Sequence, residues 1–189
     1  AFFNETIVYS FMKPDRADYC IVFWNTRTDD RYVKYVKKLM GVAGGGECCV
    51  LATKAEESNN RFVLILCNAI GSPIDTKQIN IEPLFISMNK THVIVCSEES
   101  IYVWQYRSQV SRLMSVDSSK RKIGREIAFN VDEQSDLNSI YDVERFSKPS
   151  RKAQDPISCV TSGNGFFMVG RASGTVNKYT IPHVALETR

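Results

Sequence analysis

The sequence predicts an all-β fold on three observations. Apolar and aromatic runs of about four to eight residues, the length of a strand, recur along most of its 189 positions. Clusters of Gly, Pro, Asn, Asp and Ser bound these runs. Almost nowhere between them do apolar residues recur at helical spacing. Short strands at even spacing, without helices between them, fit a sandwich, a barrel or a propeller.

In chain order the first strands are "TIVYSF" (6–11) and "YCIVFW" (19–24), and "RYVKYVKKLMGVA" (31–43) is long enough for two. After the turn "AGGGE" come "CCVLAT" (48–53) and "RFVLILCN" (61–68), with "EESNN" between them. "LFISM" (84–88), "HVIVCS" (92–97) and "IYVWQY" (101–106) are set apart by "MNKT" and "SEES". The last three are "ISCVTS" (157–162), "FFMVGR" (166–171) and "TVNKYTI" (175–181), divided by "SGNG" and "RASG".

A repeat then selects the architecture. "LFISMNKTHVIVCSEESIYVWQY" reads strand, turn, strand, turn, strand, and "ISCVTSGNGFFMVGRASGTVNKYTI" repeats that grammar. The third strand of each unit carries a large apolar residue at one position: Trp24, Leu66, Trp104 and Tyr179, at spacings of 42, 38 and 75. The first two intervals match the ~40–45 residues of a WD40-type propeller blade. The reading is therefore a β-propeller of about three to four blades, an incomplete ring, because so few blades leave exposed edges at both ends. In the strand "SIYVWQYR", Tyr102, Trp104 and Tyr106 share one face. That stripe reads as a seam between blades rather than a stacking platform for bases.

The 75-residue interval holds a long charged insertion. The domain reading is blades over 1–107, a charged and partly disordered insertion over 108–156, and a further blade over 157–189 of a larger multidomain chain. Within the insertion "RLMSV" and "IAFNV" are the strand-like pieces. Between Arg107 and Lys152 stand ten Lys/Arg against seven Asp/Glu, which is the whole excess of 24 basic over 21 acidic residues. A net charge of +3 is too small to imply nucleic acid or an anionic membrane. No apolar run reaches the ~18 residues of a membrane span. The opening lacks a secretory signal. Cys20, Cys48, Cys49, Cys67 and Cys96 lie in or beside apolar runs, and Cys159 opens "CVTS". That placement suits buried, reduced thiols in an intracellular compartment better than a disulfide framework.

No stretch assembles a catalytic, cofactor or metal site. "VAGGGECC" (42–49) lacks the Lys-Ser/Thr and the helix of a phosphate loop and reads as a turn. Cys48 and Cys49 point to opposite faces, and only two histidines, His92 and His183, exist to join them, which argues against zinc. The same scarcity argues against Ser-His-Asp or Cys-His nucleophiles. His92 opens a strand, where a solvated or turn-bonding role is expected. Asp29-Asp30 and Glu98-Glu99 lie in turns rather than as a glycosidase pair. "GNGFFMVGR" has the wrong order for an RNA-recognition strand. "SSKRKIGR" (118–125) is the best basic patch, nearly cancelled by "FNVDEQSD" after it; it leaves an alternative open, a propeller binding nucleic acid or phosphoinositide through the insertion. The sequons Asn4-Glu5-Thr6 and Asn89-Lys90-Thr91 read as chance matches.

"KPDRADYCIVFWNTR", "PLFISMNKTHVIV" and "VWQYR" carry a specific resemblance, which extends over 5–107 and 155–186. The chain resembles the second propeller of the WD repeat-containing protein 35 family, a subunit of the intraflagellar transport A (IFT-A) complex. The resemblance implies a non-enzymatic scaffold with no cofactor, joined to other IFT-A subunits and indirectly to dynein and ciliary membrane cargo. It implies work in retrograde transport, cilium assembly and ciliary entry of membrane proteins, at the axoneme, the basal body and in the cytoplasm. Asn25 and Gln105 stand where a WD dipeptide has Asp, and no Gly-His occurs. The Asp-His-Ser-Trp network of ordinary WD repeats is therefore largely missing, and blade stability rests on apolar packing between sheets.

Overall fold

The computed structural model describes residues 1–15, 17–56, 61–107, 125–132, 141–142, 146 and 152–188. These form strands and turns in four antiparallel sheets. The first contains β1 (Phe2–Phe3), β2 (Thr6–Met12), β3 (Asp18–Asn25) and β4 (Arg31–Lys37). The second contains β5 (Leu39–Gly45), β6 (Cys48–Lys54), β7 (Phe62–Cys67) and β8 (Pro73–Ile79). The third contains β9 (Phe85–Met88), β10 (His92–Cys96), β11 (Ser100–Gln105), β12 (Glu126–Asn130) and β13 (Tyr141–Asp142). The last contains β14 (Ile157–Gly163), β15 (Phe166–Arg171), β16 (Val176–Thr180) and β17 (Ala185–Thr188).

In every sheet the strands follow chain order and each pairs with the next. The first strands lie along the inside of the arc, β1 beside β5, β5 beside β9 and β9 beside β14. This is the blade order of a propeller, with four blades among the described residues. The inner strands run so close that β5 needs glycine. A Cβ on Gly45 would stand 2.7 Å from the Asn89 carbonyl oxygen and one on Gly44 2.9 Å from the Phe3 ring. Three residues of "AGGGE", Ala43 to Gly45, thus belong to a strand, and the turn itself begins at Gly46, with φ of +61°.

Three apolar cores lie between the sheets, and the period-two alternation of strands divides the residues among them. Ile21, Phe23, Cys49, Leu51 and Cys67 fill the seam between the first and second sheets. Val50, Ala52, Leu64 and Leu66 face the other way and meet Val93, Val95, Tyr102 and Trp104 of the third. Ile94, Cys96, Ile101 and Val103, the alternate residues of β10 and β11, meet Phe167, Val169 and Tyr179 of the last. Each fully buried Val, Ile, Leu or Phe adds about 1.5–3 kcal/mol, so these seams dominate the stability.

Trp24, Leu66, Trp104 and Tyr179 each lie on the third strand of their sheets. Trp104 and Tyr179 both face the preceding sheet. Leu66 faces the following one, and its strand turns Ile65 and Cys67 toward the preceding sheet instead. The aromatic repeat thus slips by one residue in the second blade, which flips the side chain through the sheet. Within the stretch read as an insertion, Glu126–Asn130 is the fourth strand of the third blade, paired to β11 from Trp104↔Glu126 to Ser100↔Asn130. Phe146 is buried in the seam between the second and third sheets. "RLMSV" lies outside the described residues.

Candidate functional site

The polar groups of the fold are gathered where sheets meet. At the second seam Lys77 on β8 pairs with Glu126 on β12 at 3.1 Å. The other oxygen of Glu126 accepts a 2.6 Å hydrogen bond from the Tyr102 hydroxyl. Lys77 Nζ also stands 5.6 Å from the Trp104 ring centre. Burial first, then the Glu126 carboxylate, pushes the Tyr102 hydroxyl well above the usual phenol range. Tyr106 donates to the Asn89 carbonyl oxygen of its own sheet at 2.7 Å and lies 3.4 Å from the Gly45 carbonyl oxygen across the same seam.

The third seam is tied at both ends. Ser87 and Ser162 share a hydroxyl hydrogen bond at 2.8 Å, and Asn89 Nδ2 donates to the Gly163 carbonyl at 2.9 Å. Arg171, buried at the end of β15, donates to an Asp132 carboxylate oxygen and to the Asp155 carbonyl. Asp155 in turn accepts from the Ser173 hydroxyl and amide, which hold its carboxyl below the usual range.

Most candidates from the sequence turn out to be structural. Asp29 accepts from Trp24 Nε1 at 2.7 Å and Asp30 from Thr28 Oγ1 at 2.7 Å, both within one turn. Glu98 and Glu99 turn their carbonyls to Ile157 N and Val131 N. In "GNGFFMVGR" Phe167 is buried and stacked on Tyr179, centroids 4.7 Å apart, so it presents no face to a base. Asn89 Oδ1 accepts from the amides of Thr91 and His92, which makes that sequon a hydrogen-bonded turn. Of the solvated and turn-bonding roles expected for His92, the structure shows the second: it is buried and bonded through Nδ1 to Thr91 Oγ1 of the turn at 2.8 Å. Desolvation lowers its pKa to about 4.

All six cysteines carry free thiols. Cys49 and Cys67 are directly opposite on β6 and β7, and both are buried. The hydrogen bond that the Cys49 thiol donates to Cys67, and then burial, pushes the Cys49 thiol up. Cys159 is exposed, unlike the expectation of burial. Among the described residues no three His, Cys, Asp or Glu cluster as metal ligands, and no helix is long and apolar enough to cross a membrane. "SSKRKIGR" lies outside the described residues except Arg125.

What remains available is an outward sheet face. Cross-strand register puts Ile7, Trp24 and Arg31 in one row, Tyr9, Val22 and Val33 in the next, and Phe11, Cys20 and Tyr35 in a third. All nine turn away from the second sheet. Tyr9 is 42% exposed, Phe11 46%, Tyr35 52% and Val33 54%. Tyr9 and Phe11 stack at 6.5 Å, while Lys13 lies 5.2 Å from the Tyr35 ring. The last sheet ends the arc with a more polar face, where Met168 is opposite Thr161 and Lys178.

Residues 1–189 match the family described as WDR35 second beta-propeller. The chain belongs to that family. It is similar to WD repeat-containing protein 35 of Rattus norvegicus, 42% identical over 189 residues that are 97% of this chain and 16% of the relative. It is 41% identical to WD repeat-containing protein 35 of Homo sapiens over 97% of this chain and 17% of the relative. The chain thus spans about one sixth of the length of these relatives. Among solved structures it is similar to the β-propeller domain of the Trilobed protease from Pyrococcus furiosus, with 10% identity and a TM-score of 0.42, covering 100% of this chain and 83% of that one. A likeness at that level carries no argument about activity.

In this WDR35-type propeller the departures from the WD motif have local consequences. Trp24 finds its acceptor in Asp29, on the turn that follows it. Trp104 Nε1 is buried with no hydrogen-bond partner among the described residues. A seam held by a Lys77–Glu126–Tyr102 cluster and by apolar packing takes the place of the missing network.

Proposed function

We propose that this chain is part of a non-enzymatic scaffold subunit of the IFT-A complex, whose propeller makes protein–protein contacts in retrograde ciliary transport, cilium assembly and ciliary entry of membrane proteins. Its partners are other IFT-A subunits, with dynein and membrane cargo reached indirectly, and it works in the cilium, at the basal body and in the cytoplasm. Membership of the WDR35 second-propeller family across all 189 residues carries this reading. The structure supports it in kind. Most of the ionisable groups described above are engaged between sheets or within turns, whereas the face bearing Tyr9, Phe11, Val33 and Tyr35 offers apolar area to a protein surface.

Affinity purification of the full-length protein from ciliated cells tests the reading. Other IFT-A subunits should co-purify, and their consistent absence would sink it. Recovery of nucleic acid instead, with binding that falls steeply as salt rises, would favour the basic-insertion alternative.

A further inference from the structure

The blades differ at their outer edges. On the third, β13 adds a fifth strand to β12, with Ile127 opposite Asp142 and Ala128 opposite Tyr141. On the second, β8 opens on Pro73 and its ladder is irregular between Leu66 and Cys67, and Pro has no N–H to offer another strand. On the last, β17 has four residues and its ladder is irregular between Lys178 and Tyr179. On the first, β4 has seven residues in unbroken register, from Asp18↔Lys37 to Trp24↔Arg31. Asn25 N donates to the Asp30 carbonyl at 2.9 Å. Backbone groups alternate sides along an antiparallel strand, so Tyr32, Lys34 and Val36 turn theirs to β3. Arg31, Val33, Tyr35 and Lys37 turn theirs to the rim, where no described residue pairs with them. This edge points away from the ring, and a neighbouring blade on either side leaves it open.

Lysines on an edge strand repel a second copy of that edge. Here they also select a partner. Asp29 holds Arg31 at 3.4 Å and Glu56 holds Lys37 at 3.1 Å. Lys34 donates to the Gly71 carbonyl at 3.2 Å. Among the described residues no carboxylate pairs with Lys34 or Lys38. We propose that the free edge of β4 takes an acidic, extended segment of a partner protein as a fifth strand, the mode known as strand addition. Tyr32 is opposite Phe23 and Lys34 opposite Ile21, both residues of the seam with the second sheet, and Val36 belongs to that seam too. Side chains of the added strand opposite these three share their face, with Cβ atoms ~4.5–5.5 Å away. Tyr32 is 42% exposed. The matching segment therefore carries a carboxylate opposite Lys34 and an apolar residue two places to either side. This gives the scaffold reading a contact surface, and rests on it only for the existence of a partner chain.

The test uses the purified full-length protein with no other subunit. The probe is the peptide Thr-Val-Thr-Glu-Thr-Val-Thr, capped at both ends and carrying a fluorophore, whose pattern reads the same in either direction. Fluorescence anisotropy should show saturable binding. N-methylating one alternate set of the peptide's amides should weaken it about tenfold or more, and N-methylating the other set should do little, because only one set faces β4. Replacing Glu with Lys should also weaken it about tenfold or more. Val33→Pro removes an edge N–H at a position where proline is tolerated and should weaken binding as the first N-methylated peptide does. Hydrogen exchange of the Val33 and Tyr35 amides should slow on the order of tenfold with the peptide bound. No saturable binding, equal binding by the two N-methylated peptides, equal binding by the Lys peptide, or unchanged exchange at both amides overturns the proposal. The peptide variants leave the protein untouched, so the edge is tested even where Val33→Pro unfolds. Co-purification of IFT-A subunits enters none of these results, so this proposal and the scaffold reading fail separately.

Discussion

Trp104 offers the sharpest test of how the seams are held. Its indole is fully buried against the second sheet, edge-on to Tyr106 with centroids 6.3 Å apart, and its N–H has no acceptor among the described residues. Trp104→Ala empties the middle of that seam, and a buried Trp→Ala change costs about 3–5 kcal/mol. Trp104→Phe is different. It removes roughly 50 Å² of buried apolar surface, a loss of about 1–1.5 kcal/mol at 25 cal/mol per Å². It also removes a buried donor without a partner, whose presence costs about 1–3 kcal/mol. The two terms nearly cancel, so the Phe variant should lie within about 1 kcal/mol of the parent. Urea unfolding of the whole propeller, followed by far-ultraviolet circular dichroism, separates the two variants by their midpoints. A Phe variant as unstable as the Ala variant would falsify the reasoning, because it would mean that the N–H has a partner.

The pH profile tests His92. Its pKa of about 4 in the fold, against about 6.5 unfolded, means the unfolded chain binds the extra proton first. Its stabilising effect is complete above pH 6.5 and is lost as pH falls toward 4, roughly 3 kcal/mol in all; His92→Gln should flatten that slope in acid-unfolding curves. Gly45→Ala pushes a methyl into the Met88 and Asn89 carbonyls and should cost about 1–3 kcal/mol of overpacking, read as a fall in Tm. Arg171→Met strips the counter-charge from Asp132 and should cost about 1–3 kcal/mol, less than a fully buried pair because Asp132 is 43% exposed. Residues 1–189 expressed alone should self-associate, and Tyr9→Lys with Tyr35→Lys should reduce the mass seen by light scattering; unchanged association would place the sticky surface elsewhere.

The inner and middle strands were legible because they carry continuous apolar runs such as "CCVLA" and "VIVCS", both faces of which meet another sheet. β8 and β17 were not, since an outer strand such as "PIDTKQI" is mostly exposed and opens on Pro. The aromatic at the third-strand position identified Trp104 and Tyr179 as seam residues. It misled at Leu66, because spacing fixes the strand but a one-residue offset decides the face. His92 hid for a related reason. Its burial comes from neighbouring strands distant in sequence, and no local pattern signals that. The open aromatic face of the first sheet looked like any other amphipathic strand set.

The alternation that assigns Ile94 to one core and Val95 to the next has a mechanical meaning. Neighbouring cores are separated by a single layer of peptide groups and share no side chain, so each seam is a separate joint in a linear series. A defect at Trp104 loosens the joint between the second and third blades and reaches the joint beyond only by bending the backbone of β10 and β11. Such a chain fails joint by joint. The arc should open at its weakest seam while the remaining pairs of blades stay closed, as a stack of plates parts at one gap.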